Sequence, residues 1–454
     1  MHSSPQHAIT GNFTKKTPTL SAIVFLPIFA VMFGVLSATA SAGDWPLWRY
    51  DAARSASSPH ALPNDLQPAW SIKLPPLEPA WEDAVNQDRM TFDHVYEPIV
   101  VGTTLLVPSN RDDSLRAYDT RTGKLRWRFH ADGPARMPPA AWRDRVYFSS
   151  DDGYLYCLAI DDGRLLWRVA GCPAANKALG NGRLISAWPA RGGPVIRDNT
   201  VYFTAGIWPF MGIFIYAVDA DSGRIVWSNE GLGSRFMKQP HGGSISFGSI
   251  APQGAIAATA DELIVPGGRS VPGCFDRKTG RLQYFHLSGS SGANRKLEGG
   301  SHVAAGGDFF YNHRGLATSM YEKKSGRMIR NWTGTVYPLL DGNKLFIAGK
   351  EIRVYDTAGF DKTEKGKQRD KWRPKKIREV EIDATGGLIK AGNRLYAAGK
   401  DNIAALDLPE GNPPKNAWTH KVEGNPRRLL AADDRLFVVT DQGHIHAFAA
   451  AKTT

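Results

Sequence analysis

Apolar residues fall along almost the whole chain in short runs, alternating or continuous, each closed by Gly, Asp, Asn or Ser. Val146-Tyr-Phe-Ser149, Val201-Tyr-Phe-Thr204, Leu263-Ile-Val265, Leu345-Phe-Ile-Ala348, Leu395-Tyr-Ala-Ala398 and Leu436-Phe-Val-Val439 have the length and the β-branched and aromatic content of buried strands. Helical periodicity is nearly absent. The pattern therefore predicts an all-β fold.

One turn recurs between these runs. It stands as Ala117-Tyr-Asp-Thr-Arg-Thr-Gly123 ahead of Trp127, and again as Ala217-Val-Asp-Ala-Asp-Ser-Gly223 ahead of Trp227. Weaker copies end at Gly163 (followed by Trp167), Gly280, Gly326, Gly359 and Gly411 (followed by Trp418). Asp with Thr or Ser offers side-chain oxygens to the turn's own amides, and Gly takes a left-handed backbone at little steric cost. A large aromatic a fixed distance after the turn then points the same way in every copy. Trp70, Trp127, Trp167, Trp227 and Trp418 are thus expected to fill the seams between neighbouring units, burying roughly 150–250 Å² each.

A second two-strand signal precedes each turn, giving four strands per repeat, which is the arithmetic of a propeller blade. Seven units carry the turn. An eighth begins at Arg427 and stops before a terminal Trp strand, while Leu66–Leu74 supplies a Trp strand with no hairpin before it. Joining the two ends predicts an eight-bladed β-propeller of four-stranded blades over 66–450, with 66–74 as the closing strand of the last blade. Closure removes the exposed sheet edges of an open array. Residues 43–65 read as a lead-in to this single domain.

The Ala-x-Asp-x-x-Thr/Ser-Gly-x-x-x-Trp pattern resembles the pyrroloquinoline-quinone-type repeat, found in quinoprotein dehydrogenases and in the propeller scaffold of the bacterial outer-membrane assembly machine. The resemblance covers nearly all of 66–450 and implies fold more strongly than function. Its dehydrogenase branch implies pyrroloquinoline quinone with Ca²⁺, a carboxylate base, oxidation of alcohols or sugars, and a disulfide between adjacent cysteines. The chain has three cysteines and no adjacent pair.

Lys15 and Lys16 precede an apolar run from Leu20 to Leu36 and then Ala40-Ser-Ala42. This is the layout of a cleaved secretory signal over 1–42, with a retained N-terminal anchor as the alternative, and it predicts a periplasmic or secreted protein without a membrane span after signal removal. Cys157 and Cys274 occupy the position of Ala117 and read as small core residues, whereas Cys172 lies in a loop. The formal charge is +12. Part of the excess lies in a basic insertion at 361–381. Nucleic acid is excluded as a partner, because no recognition helix or stacking motif accompanies the charge.

Candidate functional positions come from the loops that enter the innermost strands and from those joining the second and third strands, since both kinds surround one mouth of a propeller channel. They collect His94, Glu97, Arg136, Arg191, Gln253, Arg269, His302, His313, Arg314, Lys350, Lys400 and Arg427, with the apolar protrusion Gly206-Ile-Trp208-Pro-Phe-Met-Gly212 nearby. Arg136, Arg191, Trp208, Arg269, His302 and Arg314 are the ligand-binding candidates, expected to form a basic mouth for a protein or an anionic glycan. Histidines 241, 302 and 313 could converge as metal ligands only if the fold brings the fourth and fifth blades together, and no catalytic motif is present. The reading is a monomeric, non-catalytic binding or scaffold propeller without cofactor. The alternative is a quinone-dependent dehydrogenase.

Overall fold

In the computed structural model the described residues are 43–81, 92–180, 182–232, 236–238, 244–267, 270–286, 300–334, 336–360, 374–408 and 415–451. The expected signal (1–42), His241, Arg269 and residues 361–373 of the basic insertion lie outside them. The rest of that insertion is not a separate extension, since Pro374–Val380 is the outer strand of its blade. Among the described residues the one helical element is the turn Pro209–Met211.

The fold is an all-β propeller. Within each repeat the strands pair in chain order, as in Ile99–Val101, Thr104–Ser109, Ser114–Asp119 and Leu125–His130. The first three strands are largely buried, because both sheet faces are covered by neighbours. The fourth alternates between exposed and half-buried positions, with its Trp on the covered face. Leu66–Lys73 pairs antiparallel with His444–Ala450, from Leu66 opposite Ala450 to Lys73 opposite His444, and completes that sheet.

Six blades stand as separate sheets, not eight, which corrects the count expected from the repeats. The remaining repeat strands form one nine-stranded sheet. In it the strands of 192–229 and 302–333 are joined through the short strand Gly254–Ala255, which pairs in parallel with Gly192–Gly193 on one side and His302 on the other. Glycine is the physical reason. Gly254 sits at φ +136°, and any Cβ there would overlap the Ser301 carbonyl. Without side chains the inner strands approach closely enough for backbone hydrogen bonds between repeats, such as Gly254 N–H to Arg191 O at 2.9 Å.

Among the described residues, five seams repeat one contact. A Cβ on Gly123 would lie 2.8 Å from the Trp70 ring, and one on Gly163 would lie 2.5 Å from that of Trp127. Trp167 covers Gly223, Trp227 covers Gly280, and Tyr284 covers Gly326. The turn glycine is thus required twice, for its positive φ and for the aromatic ring of the preceding repeat. Trp70 Nε1 donates to Thr120 O at 2.8 Å and Trp127 Nε1 to Ile160 O at 2.7 Å, so the ring also satisfies a turn carbonyl. Trp418 instead stacks on Phe448, with ring centroids 6.3 Å apart.

Within the expected lead-in, residues 43–58 form a plug against the inner strands. Their carbonyls accept amides from inner strands around the ring: Gly43 O from Asp433, Trp45 O from Val100, Pro46 O from Ala141, Ala52 O from Ala258, Ala53 O from Ala305, Ser55 O from Leu340 and Ala56 O from Lys390. Arg54 is wholly buried and donates to the carbonyls of Ile256, Trp48 and Pro194. Burial lowers its pKa to about 9. Arg49, Tyr50, Arg54 and Ala56 all hold positive φ, between +56° and +81°. Such backbone is strained for non-glycine residues and persists where the surroundings over-determine it, here through bonds to many repeats.

Candidate functional site

The inner strands begin at the end of the channel where a cavity of about 300 Å³ lies against the plug. Trp45, Trp48 and Arg49 come from the plug. Glu97, His302, Tyr337, Gly386 and Arg428 come from the starts of five inner strands, and His313 lies directly opposite His302 in the sheet.

An aromatic group forms the wall. His302 stacks on Tyr337 with centroids 4.0 Å apart, His313 meets Tyr337 edge-on at 5.0 Å, and Trp48 lies 5.2 Å from His302 and 5.5 Å from Tyr337. Both cations lie beside the Tyr337 ring, Arg428 at 4.9 Å and Arg49 at 5.5 Å. Glu97 is 4% exposed and accepts from Trp48 Nε1 at 2.8 Å and Arg428 Nε at 2.6 Å. Arg428 also donates to Arg427 O and to the Tyr337 hydroxyl. Arg49 donates to Pro338 O at 2.5 Å, while its buried Nε has no partner among the described residues.

Burial, reinforced by the nearby arginines, sets the protonation states. His302 is held well below its ordinary pKa and His313 is lowered to about 3, so both are neutral near pH 7. Their Nδ1 atoms are engaged by Ser301 Oγ and Thr318 Oγ1, each at 2.9 Å. Burial raises Glu97 despite Arg428, lowers Arg49 to about 10 and raises Tyr337 to about 12. Arg428 is raised: burial disfavours its charge, but Glu97 and Tyr337 outweigh that.

The sequence-derived candidates divide. His302 lines the cavity, together with His94, Glu97, His313 and Arg427 from the wider set. Arg136 and Arg191 do not present a free positive field. Arg136 is bound to Asp93 at 2.6 Å and Asp151 at 2.7 Å, and Arg191 is bound to Asp151 at 2.8 Å, all four being 5% exposed or less. The two arginines lower Asp151 to about 2 against its burial. Two cations meeting two carboxylates make a charge-balanced clamp, which Trp81 caps by lying 5.9 Å from Arg191 and donating to Gln253 Oε1. Arg314 ends the strand Phe309–Arg314, half-buried. Trp208 precedes the Pro209–Met211 turn, which Trp188 pins through Nε1 to Met211 O at 2.7 Å. Neither lines the cavity. Trp48, Arg49, Tyr337 and Arg428 were missed. Arg428 sits one position beyond a candidate, and Tyr337 lies in a loop entering an inner strand, so the same topological rule reaches them. The plug residues carry no repeat signal.

Cys157 and Cys274 are buried, and burial raises their thiols to about 12 and about 11. Cys172 is half-buried and is also raised by burial.

Fold and repeat define a propeller of the pyrroloquinoline-quinone-repeat class. The family described as outer membrane protein assembly factor BamB matches residues 33–283 and 192–453, and the chain belongs to this family. A 142-residue stretch is 28% identical to the dehydrogenase subunit of alcohol dehydrogenase (quinone) from Gluconobacter oxydans (strain 621H), covering 29% of this chain and 18% of that protein. Another, of 146 residues, is 29% identical to tetrathionate hydrolase from Acidithiobacillus ferrooxidans, covering 30% of this chain and 28% of the relative. The matches therefore span less than a third of those proteins. Among solved structures, quinohemoprotein alcohol dehydrogenase from Comamonas testosteroni superposes with a TM-score of 0.57 at 14% identity, over 92% of this chain and 82% of that one. A europium-containing methanol dehydrogenase gives 0.55 at 12% identity, over 90% and 99%. These likenesses show the fold alone.

Proposed function

We propose that this protein is an exported, non-catalytic binding propeller that takes a small anionic ligand in its central cavity. Counted by repeats rather than by separate sheets, its ring is eightfold, each half of the nine-stranded sheet being one repeat. The observation that carries the reading is Arg49, a cation without a carboxylate partner among the described residues, beside an aromatic cavity. Concave, mostly apolar sites with a few convergent polar groups are where small ligands bind. At about 300 Å³ the cavity suits a small molecule better than a protein segment or a glycan chain. The BamB description and the expected signal both favour a site outside the cytoplasm.

The competing reading is a quinone-dependent dehydrogenase, favoured by the names of the relatives and by an aromatic wall with arginines beside it. Its chemistry needs side-chain oxygens around a divalent cation and a free carboxylate base. The donor set does not fit. Both oxygens of Glu97 already accept, from Trp48 and Arg428, and the neighbouring His302 and His313 offer nitrogen. Among the described residues no group of three or more His, Cys, Asp or Glu is placed to hold a metal ion. Incubation of the purified protein with pyrroloquinoline quinone, with and without Ca²⁺, tests the choice by absorbance and by alcohol-dependent dye reduction. Binding without turnover supports the proposal. Calcium-dependent dye reduction overturns it.

A further inference from the structure

We infer that the central cavity selects a small organic monocarboxylate with a flat apolar body, whose carboxylate pairs with Arg49. This deepens the central-cavity reading above and rests on it. The first argument is the balance of charge. The charged groups facing one another across the Tyr337 ring are Arg49, Arg428 and Glu97, and Arg428 with Glu97 is a closed pair at 2.6 Å. Arg427, at the rim, is held by Asp441 at 3.1 Å. His302 and His313 are neutral. In the plug, Asp51 accepts from Ser55 and acts electrostatically on Arg54 as well as on Arg49, so three arginines face two carboxylates and one net positive charge is left over, with Arg49 bonded to neither carboxylate among the described residues.

A single negative charge completes this set. A neutral ligand can offer Nε an acceptor but leaves the guanidinium charge uncompensated, and a desolvated charge without a counter-charge is costly. A di- or tricarboxylate brings excess negative charge into a desolvated site beside Glu97, with no further cation to meet it.

The second argument is shape and polarity. The wall is built from His302, Tyr337 and Trp48, and Val336, Leu388 and Leu430 also line the cavity. An inorganic anion would leave that apolar surface uncovered, whereas a planar hydrocarbon body covers it. His94 Nε2 is a second buried polar atom at the cavity without a partner among the described residues, available to the ligand's other oxygen.

Calorimetric titration of the full-length mature protein tests this with four probes: benzoate, its neutral relative benzamide, the dicarboxylate phthalate, and sulfate. Benzoate is expected to bind at least about tenfold more tightly than each of the others, the factor that one charge-assisted hydrogen bond supplies. Arg49→Met is expected to remove that preference. The probe series on the unaltered protein decides the matter even if that variant fails to fold. Tighter binding of benzamide, phthalate or sulfate than of benzoate overturns the inference and leaves the central-cavity reading standing. Failure of all four probes, and of pyrroloquinoline quinone, overturns both.

Discussion

Two arginine clusters lie where the inner strands begin, and they obey different charge rules. In one, Arg136 and Arg191 meet Asp93 and Asp151, and the sum is zero. In the other, Arg428 is paired with Glu97 while Arg49 has no bonded carboxylate among the described residues, and one charge remains. The first cluster ties the segment around Glu78 and Asp93 to neighbouring blades, since Arg136 also donates to the Glu78 carbonyl at 2.7 Å. The second borders a cavity. A buried cation matched by a carboxylate is architecture, whereas an unmatched one beside empty space marks a place for a ligand. Both clusters are equally basic in sequence, so only the partners distinguish them.

The comparison breaks first in stability. Asp151→Ala leaves two buried guanidiniums short of their carboxylate and is expected to cost about 3–5 kcal/mol in chemical denaturation. Arg49→Met removes a cation that has no carboxylate to strand, and should change stability by under about 1 kcal/mol. Equal losses in the two variants would erase the distinction between clamp and site.

Acid separates the clusters next. Asp151 is depressed from 3.8 to about 2 by Arg191 and Arg136, which outweigh its burial, so the folded state binds fewer protons than the unfolded chain. Its contribution is present above pH 4 and is lost as pH falls toward 2. His313, lowered from 6.5 to about 3 by burial, stays neutral where the unfolded histidine is protonated. Stability should therefore fall from about pH 6.5 toward 3, with a second, steeper loss below 4. Melting temperature against pH checks this, and Asp151→Ala should shrink the lower limb, to which the depressed Asp112 and Asp119 also contribute, while keeping the upper. A flat profile between pH 6.5 and 4 would count against neutral, buried histidines at the cavity.

The smallest effect sharpens the site itself. Glu97→Gln keeps the shape and an acceptor for Arg428 but leaves two positive charges. Titration with benzoate and phthalate is expected to show the preference moving several-fold toward the dicarboxylate. An unchanged ratio would mean that charge count does not set selectivity.

Much of the architecture can be read directly from the residues. The Asp-x-x-Thr/Ser-Gly turn and the Trp that follows recur because each copy solves the same local problem, and the predicted all-β propeller follows from period and turn chemistry. The list of residues at the starts of inner strands already held His94, Glu97, His302, His313 and Arg427, since blade topology sends those positions to one mouth. The same rule picked Arg136 and Arg191 as free cations, because charge pairing across 15 to 43 residues leaves no local trace. The number of separate sheets was also beyond it. Gly192, Gly193 and Gly254 look like loop glycines until their backbones are seen paired across repeats.

The sequence by itself determined the repeat, the strand order within each blade and the seam contacts, because these depend on alternation and on residues a few positions apart. Only the tertiary structure decided what the channel contains. The plug of residues 43–58 is held through its backbone carbonyls, which any residue supplies, and it turns at Arg49, Tyr50, Arg54 and Ala56 with positive φ and no glycine to announce it. Trp48 and Arg49 become cavity residues because inner strands around the ring fix that peptide at once. A constraint shared among strands so far apart in the chain has no period and no spacing, and it exists only once the ring has closed.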